Sequence, residues 1–434
     1  MSVLFIGVIV FAALIILVLL GCPIFFALGG IGLGGLYIFS GNAGIAMVAQ
    51  RMFGSLNSFS LMAAPLFILM GNLIFASGIG KDLYDTFGKW LRGLPGGLVI
   101  ATIIANIFFG AMCGVSIAAV ATFGAVAMPE LEKKGYNKEL CAGAICSSGA
   151  LSMLIPPSLM FILYGEVANV SVGALFAGGI VPGVILGGMM ALYVLIRVIK
   201  NPKLAPAEEP VSWPDKWKSL GRVWPAIVVI LSVLVSIYTG IATPTEAAAI
   251  GAVVSYLLGH FYYRRLGQKE LKAVLKDTAL TCGAILIMVA GASIFTGFLN
   301  IIGFQEALTE KIVTMGISGI QFVMIMMGVM IFLGCLIDAA SVVLVTTPLV
   351  IPIILSFGLD PLWYGILVVI NTEMAVITPP LGLNLYTLNS VRPELDLGLI
   401  IKGIVPYFFI ELACLFLFIY FPALATWLPG LMGK

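Results

Sequence analysis

The sequence predicts an all-α, polytopic membrane protein made of two inverted-topology repeats, each with a re-entrant hairpin and a discontinuous helix. Three observations favour this fold. Apolar residues make up 61% of the 434-residue chain and charged residues only 10%, whereas a soluble domain carries about 25% charged residues. Two proline pairs interrupt apolar segments that are long enough to cross a bilayer. The segments around these pairs recur in the same order along the chain.

The N-terminal region is predicted to be part of a scaffold. Residues 1–77 would form three spans, near 3–20, 24–39 and 59–77. The first apolar run could pass for a signal peptide, and LLGC at 19–22 resembles a lipoprotein cleavage site. Signal peptides begin with basic residues, however, and the first lysine or arginine here is Arg51. We therefore predict a retained first span.

Two repeat cores are predicted, at residues 78–199 and 301–434. Each has an amphipathic arm, two short apolar runs, a broken span and a further span. In the first core these segments are 80–97, 98–112, 116–130, 140–169 and 173–199. In the second they are 304–316, 319–336, 340–357, 361–390 and a last span that begins near 398. A cytoplasmic loop (200–222) and a second scaffold region (223–300), with spans at 223–241, 243–262 and 278–300, connect the cores.

The short paired runs carry glycine, serine or aspartate between them, and several are too short to cross a bilayer comfortably. We interpret each pair as a re-entrant hairpin, because irregular backbone at membrane depth is tolerated where protein or a water-filled cavity covers it. Two full spans per pair remain the alternative. The number of crossings between the two broken spans is odd in both cases, so the second repeat is inverted relative to the first.

The basic residues predict the orientation. If each hairpin returns to the side from which it entered, 19 of the 22 lysines and arginines lie on one side of the membrane. Only Arg51, Lys311 and Lys434 lie on the other. The positive-inside rule makes the first side cytoplasmic and places both termini outside. The net charge is only +2, so no nucleic-acid partner is indicated.

Sequence features in register support the repeat. The tetrapeptide GIVP at 179–182 returns at 403–406, and the proline pair at 156–157 returns at 379–380. Inverted repeats with paired discontinuous helices are characteristic of secondary transporters. Their substrate and ion sites lie where the helix breaks meet near the bilayer midplane.

The proline pairs predict free backbone oxygens at the two breaks. Each proline lacks an N–H, so the carbonyl four residues back loses its helical partner. These carbonyls belong to Ser152, Met153, Ala375 and Val376. Hard cations prefer oxygen ligands, so the breaks are candidate cation sites. A simple helix kink is the alternative, since proline is frequent in membrane helices.

The hairpin turns are expected to face the breaks. Glycines in the turns allow close backbone approach, and the second turn carries Asp338. An ionised residue at mid-membrane costs about 2.5–3.5 kcal/mol on insertion scales and usually marks a pathway. A helix N-cap is the alternative role for Asp338. Glu373 and Glu411 also lie in spans, without an assigned role, and Glu246 is predicted to anchor a helix N-terminus.

Several longer stretches together resemble the large membrane subunit of tripartite ATP-independent periplasmic (TRAP) transporters. They are FFGAMCGVSIAAVATFGAVAMPE, LIPPS, ATPTEAAAIGA, LGCLIDAASVVLVTTPLVIPI and ITPPLGLNLY. The resemblance covers the whole chain. It implies sodium-driven uptake of small carboxylates across the bacterial inner membrane by an elevator-type transport domain, with Na⁺ as the coupling ion and no organic cofactor. It also implies two partners, a periplasmic substrate-binding protein and a small membrane subunit of about four helices.

The resemblance further implies site residues. The first sodium site would use Gly110, Cys113, Ser152, Ile155 and Pro156. The second would use Gly334, Ala375, Thr378 and Leu381, mostly through backbone oxygens. Candidate substrate contacts are polar groups that flank both breaks, namely Ser116, Ser158, Asp338, Ser341 and Asn384. The chain departs from the usual family pattern, which has serine at 110 and 113 and glycine at 152 and 375.

Other functional classes have less support. The sequence contains no HExxH or GxSxG motif that would suggest an enzyme, and no GxxxxGK[ST] motif of an ATP-driven pump. A channel would be recognised by solute flux that ignores ion gradients. A stand-alone, ion-coupled carboxylate carrier of the same superfamily is the closest alternative to a tripartite transporter.

Overall fold

Three helices precede the amphipathic arm of the first predicted core. The computed structural model describes residues 2–432, and these first helices are α1 (Val3–Leu19), α2 (Ile24–Leu56) and α3 (Ala63–Ser77). α2 continues well past the predicted span at 24–39 because the backbone turns at Gly41, which has a φ of 58°. Glycine adopts positive φ at no steric cost, so the helix bends there and then continues to Leu56.

The elements of the first predicted core lie close to their predicted ranges. They are the arm α4 (Ile79–Leu91), the short helices α5 (Gly97–Cys113) and α6 (Ser116–Lys133), the broken span α7 (Lys138–Ala150) and α8 (Leu159–Ala168), and α9 (Val172–Lys200). A 3₁₀ turn, Leu151–Met153, follows α7. α4 bends by 66° from α3, which gives the amphipathic arm its own direction.

Four helices connect the two cores: α10 (Trp213–Leu220), α11 (Trp224–Tyr238), α12 (Pro244–Leu257) and α13 (Gln268–Ile301). The sequence analysis expects only a loop at 200–222, but α10 forms there. Ser212 caps its N-terminus, and Trp217 packs edge-on against Trp90 of α4 with ring centroids 5.5 Å apart. α12 begins with a capping box between Thr243 and Glu246, which confirms the predicted role of Glu246.

The order of elements in the second core is the same. The arm is α14 (Phe304–Thr314), and the short helices are α15 (Gly319–Gly334) and α16 (Ala339–Ser356). The broken span is α17 (Pro361–Ile377) and α18 (Leu383–Val391). The long helix α19 (Leu397–Tyr420) and the short helix α20 (Ala423–Met432) follow. The last predicted span is therefore divided. Pro422 cannot continue the hydrogen bonding of α19, so α20 starts after it.

Several helices can cross a membrane. Within residues 2–432, the helices α2, α9, α13, α16 and α19 are long and apolar enough, and the count rises from five to seven if the bent pairs α3–α4 and α10–α11 are each one span. The shorter apolar helices, among them α5, α8, α15 and α17, have 10–17 residues. This described part of the chain is helical and contains no β-strand. The chain is thus an all-helical, multi-pass membrane protein.

The packing of the short helices positions the two breaks. α5 packs on α7 and α15 on α17, while α6 packs on α18 and α16 on α8. Each short pair therefore contacts both broken spans. α2 packs along α13 in a separate layer, where a Cβ at Gly32 would lie 2.7 Å from the backbone nitrogen of Phe295. Such close contacts between helices are typical of membrane proteins.

Candidate functional site at the two helix breaks

The turn between α5 and α6 lies directly against the first break. A Cβ at Gly110 would sit 2.7 Å from the Cα of Ser152 and 2.9 Å from its Oγ. A Cβ at Gly114, whose φ is 66°, would collide with the carbonyl oxygen of Pro157. Because only glycine permits this approach, the backbone of the turn touches the broken segment itself.

The turn between α15 and α16 meets the second break in a similar way. A Cβ at Gly334 would collide with the Cβ of Ala375 and lie 3.3 Å from its Cα. Gly334, Asp338, Ala375 and Leu381 line one crevice that has no room for a water molecule. The structure therefore brings together three of the four residues that the resemblance implies for the second sodium site.

Ser152 provides an unpartnered oxygen at the first break. Its side chain is fully buried, and Oγ has no hydrogen-bond partner within residues 2–432. A buried polar atom without a partner costs about 1–3 kcal/mol of stability. A cation bound to Ser152 Oγ would remove this cost. The Cys113 thiol instead donates to the carbonyl of Val115 at 3.9 Å. The oxygen donors at this break fit a hard cation such as Na⁺.

The first break keeps fewer free carbonyls than the proline spacing suggests. The Met153 carbonyl accepts a hydrogen bond from Ser158 Oγ. Ser158 also caps α8, where it accepts from Phe161 N–H at 3.4 Å. Ile155, a predicted ligand, donates its N–H to the Leu151 carbonyl at 3.0 Å, and its own carbonyl lies at the break. The prolines remove two N–H donors at this break, and the Ser158 hydroxyl replaces the one that the Met153 carbonyl would otherwise lack.

At the second break, Thr378 contributes both hydroxyl and carbonyl oxygens. Oγ1 donates to the Met374 carbonyl at 2.6 Å, which leaves the hydroxyl lone pairs able to accept a cation. The Thr378 carbonyl accepts from Gly382 N–H at 3.0 Å, and the Ala375 carbonyl accepts from Thr378 N–H at 3.3 Å. Each carbonyl oxygen has a second lone pair, so this set also fits a hard cation.

The candidate substrate contacts lie in different surroundings. Asp338 caps α16: it accepts from Ser341 N–H at 3.1 Å and from Ser341 Oγ at 2.5 Å. The N-cap role that the sequence left open is therefore present. Ser116 is nearly buried at the first position of α6. Asn384 is fully buried and donates to the Cys146 carbonyl at 3.0 Å, so it ties α18 to α7.

Two buried glutamates, which have no role assigned from the sequence, form a further polar centre. Glu373 of α17 and Glu411 of α19 are fully buried, and none of their four oxygens has a hydrogen-bond partner in the described part of the chain. Burial of an unpaired charge is very costly. A glutamate inside an apolar span indicates a functional position. The sequence does not show, however, that both side chains are fully buried, which only the fold reveals.

Comparison with known proteins assigns the chain to a family of transporters. It matches the DctM component of the tripartite ATP-independent periplasmic transporters over residues 11–424. It is 31% identical to a C4-dicarboxylate TRAP transporter large permease protein of Vibrio cholerae, over 97% of both chains. An ectoine TRAP transporter large permease protein of Halomonas elongata is 31% identical over 97% of this chain and 98% of its own.

A third relative, the isethionate TRAP transporter permease protein DctMQ of Oleidesulfovibrio alaskensis, is 30% identical over 97% of this chain but only 66% of its own length. Among solved structures, the YdaH transporter of Alcanivorax borkumensis has a TM-score of 0.62 at 16% identity, over 90% of this chain and 89% of that one. That similarity shows a shared fold. The three sequence relatives are transporter permeases rather than enzymes, as the sequence analysis predicts. Since the match spans nearly the whole length, the chain belongs to the DctM family, the large permease subunits of TRAP transporters.

Proposed function

We propose that this chain is the transport subunit of a sodium-coupled importer of a small organic carboxylate, which a periplasmic substrate-binding protein delivers. The observation that carries the proposal is the contact of each glycine-containing turn with a proline break, Gly110 with Ser152 and Gly334 with Ala375. Each contact brings backbone and hydroxyl oxygen atoms together, and at the second contact the Asp338 side chain also lines the crevice. Oxygen ligands of this kind suit a hard cation, and an ion there would receive ligands from two separate elements.

The same arrangement supports the proposed coupling to sodium. An ion held between a turn and a break would fix the turn in place, because its ligands come from both. The helix starts that follow the turns carry Ser116, Asp338 and Ser341, three of the candidate substrate contacts. Ion binding would therefore set the positions of groups that receive the substrate, and the two affinities would rise together, as linkage requires.

We assign the movement to an elevator mechanism. The transport domain would comprise the two short helix pairs and the two broken spans, and the scaffold would comprise α1–α3 and α11–α13. The support is the interlocked packing of α6 on α18 and of α16 on α8, which suits a body that moves as a unit. The inverted relation of the two cores rests on the sequence repeat and on the odd number of crossings.

The orientation and the partners are part of the same proposal. The 19 basic residues of the first side would face the cytoplasm of a bacterial inner membrane, with both termini periplasmic. A small membrane subunit would complete the complex. The length of the isethionate relative supports this, because this chain covers only 66% of it. The names of the relatives, which mention C4-dicarboxylates, ectoine and isethionate, support a small acidic solute.

Reconstitution tests the proposal. The chain, its small membrane subunit and its binding protein are placed in proteoliposomes, and uptake of a panel of radiolabelled carboxylates is followed under an inward sodium gradient. We expect accumulation above the outside concentration only when all three components and the gradient are present. Accumulation by this chain alone would favour the stand-alone carrier, and flux that ignores the gradient would favour a channel.

A further inference from the structure

A cavity of about 200 Å³, lined by apolar residues together with one arginine, one glutamate and three hydroxyl side chains, lies between the scaffold and the predicted transport domain. One wall comes from α2 and α13, with Arg51, Ser293 and Thr296, and the other comes from α8 and α16, with Glu166 and Pro348. We call it the Arg51 cavity. It is separate from the two helix breaks and from the residues that line the crevice at Gly334.

Arg51 lacks a partner in this cavity. Its Nε is buried and has no hydrogen-bond partner within residues 2–432. No carboxylate in that range forms an ion pair with it. The side chain lies over Gly297, where a Cβ would be 2.6 Å from Arg51 Cζ, and Ser293 Oγ donates to the Arg51 carbonyl at 3.4 Å. The Arg51 side chain therefore packs against α13 without a counter-charge among residues 2–432.

Glu166 does not supply that counter-charge, although it lines the same cavity. Its carboxylate accepts a hydrogen bond from Ser58 Oγ at 2.7 Å. The cavity thus has a cationic wall and an anionic wall. A ligand that places a carboxylate on Arg51 can present a hydroxyl or ammonium donor towards Glu166, whereas a second carboxylate there would be repelled.

We propose that the Arg51 cavity binds the carboxylate of a small organic acid that also carries a hydroxyl or ammonium group. The planar guanidinium forms two parallel hydrogen bonds to a carboxylate, and the Thr296 hydroxyl, which also lines the cavity, adds a donor. The volume is below the range of about 300–1,000 Å³ for drug-sized ligands, which suits a small acid. This inference rests on the proposed function, in which Arg51 lies on the periplasmic side. The cavity would then lie on the route by which the substrate enters.

Arginine modification tests the binding without requiring transport. The purified chain is treated with phenylglyoxal, and modification of each arginine is followed by mass spectrometry in sodium lactate, sodium succinate or sodium chloride of equal ionic strength. Lactate has one carboxylate and one hydroxyl, and succinate has two carboxylates. We expect lactate to slow modification of Arg51 and to leave that of the exposed Arg222 unchanged. Protection by neither acid would overturn the proposal, and protection by succinate alone would overturn the role given to Glu166.

Uptake by the reconstituted transporter provides the second arm. Arg51→Gln is expected to raise the half-saturating substrate concentration by about tenfold or more and to leave the half-saturating sodium concentration, measured at saturating substrate, unchanged. Lys311→Gln removes the same charge from the same side but outside the cavity, and it should change neither value. An Arg51→Gln variant with the wild-type substrate dependence would refute the inference. Absence of any carboxylate uptake by the wild type would instead refute the proposed function, while the modification result would still stand.

Discussion

The hydroxyl of Ser152 offers the sharpest test of the first cation site. The family pattern places serine at 110 and glycine at 152, and this chain has the reverse. The two positions are in direct contact, since Ser152 Oγ lies 2.9 Å from the place of a Cβ at Gly110. We infer that the hydroxyl has moved from one side of the contact to the other. Ser152→Ala removes only this oxygen and keeps the Cβ.

The size of the effect follows from the loss of one ion ligand. Hydrogen bonds to charged groups contribute about 1.5–3 kcal/mol, and about 1.4 kcal/mol is a factor of ten in affinity. If a hydroxyl ligand to sodium contributes similarly, the half-saturating sodium concentration for uptake should rise about tenfold to a hundredfold in Ser152→Ala. The assay is the uptake rate in proteoliposomes as a function of sodium concentration.

A control and a rescue separate a ligand from a packing residue. Ser147 is also fully buried with an unpartnered Oγ, but it lies within the regular helix α7, five residues before Ser152, so Ser147→Ala should leave the sodium dependence unchanged. Gly110→Ser alone should disturb the contact, because its Cβ would be 2.7 Å from Ser152 Cα. In the double variant Gly110→Ser/Ser152→Gly, the hydroxyl is supplied by position 110 instead of position 152, and the sodium affinity should recover. Wild-type sodium dependence in Ser152→Ala would refute the reasoning.

Three further outcomes are expected. Asp338→Asn retains an N-cap acceptor, so thermal stability should stay near that of the wild type while uptake falls; normal uptake would make Asp338 a purely structural cap. Replacing both Pro379 and Pro380 with alanine restores two backbone donors and favours a continuous helix. The carbonyls of Ala375 and Val376 would then be used within the helix, so the half-saturating sodium concentration should rise. An unchanged value with intact uptake would mean that the break is only a kink. Cysteines introduced at Lys133 and Asp360 should react with an impermeant reagent from opposite sides of intact cells, and labelling from one side would refute the topology.

Much of the fold could be predicted because apolar runs and their interruptions are local properties of the sequence. The helices α5 and α6, for example, begin and end within three residues of the predicted runs. The exceptions have specific causes. α10 depends on tryptophan contacts with α4, α2 continues through a single glycine, and α20 exists because of one proline. Such effects depend on a single backbone angle or on a distant partner.

The candidate site could be predicted only in part. Proline pairs and turn glycines identify where backbones approach, and the structure places Gly110 against Ser152 as the resemblance implies. The directions of side chains could not be predicted, because they depend on tertiary contacts. Asn384 donates to Cys146 across 238 positions of sequence. From the sequence, Arg51 is only one of three basic residues on the outer side; the structure places it in a cavity between four helices.

The most direct test of the central claim is substrate-dependent sodium entry. Radioactive sodium uptake into proteoliposomes that contain the complete transporter is measured with and without the carboxylate that the panel identifies, at zero initial sodium gradient. If the two breaks hold coupling ions, adding the substrate and its binding protein should drive sodium inward, and Ser152→Ala should weaken this entry at low sodium concentration. Substrate uptake without any accompanying sodium entry would contradict the account.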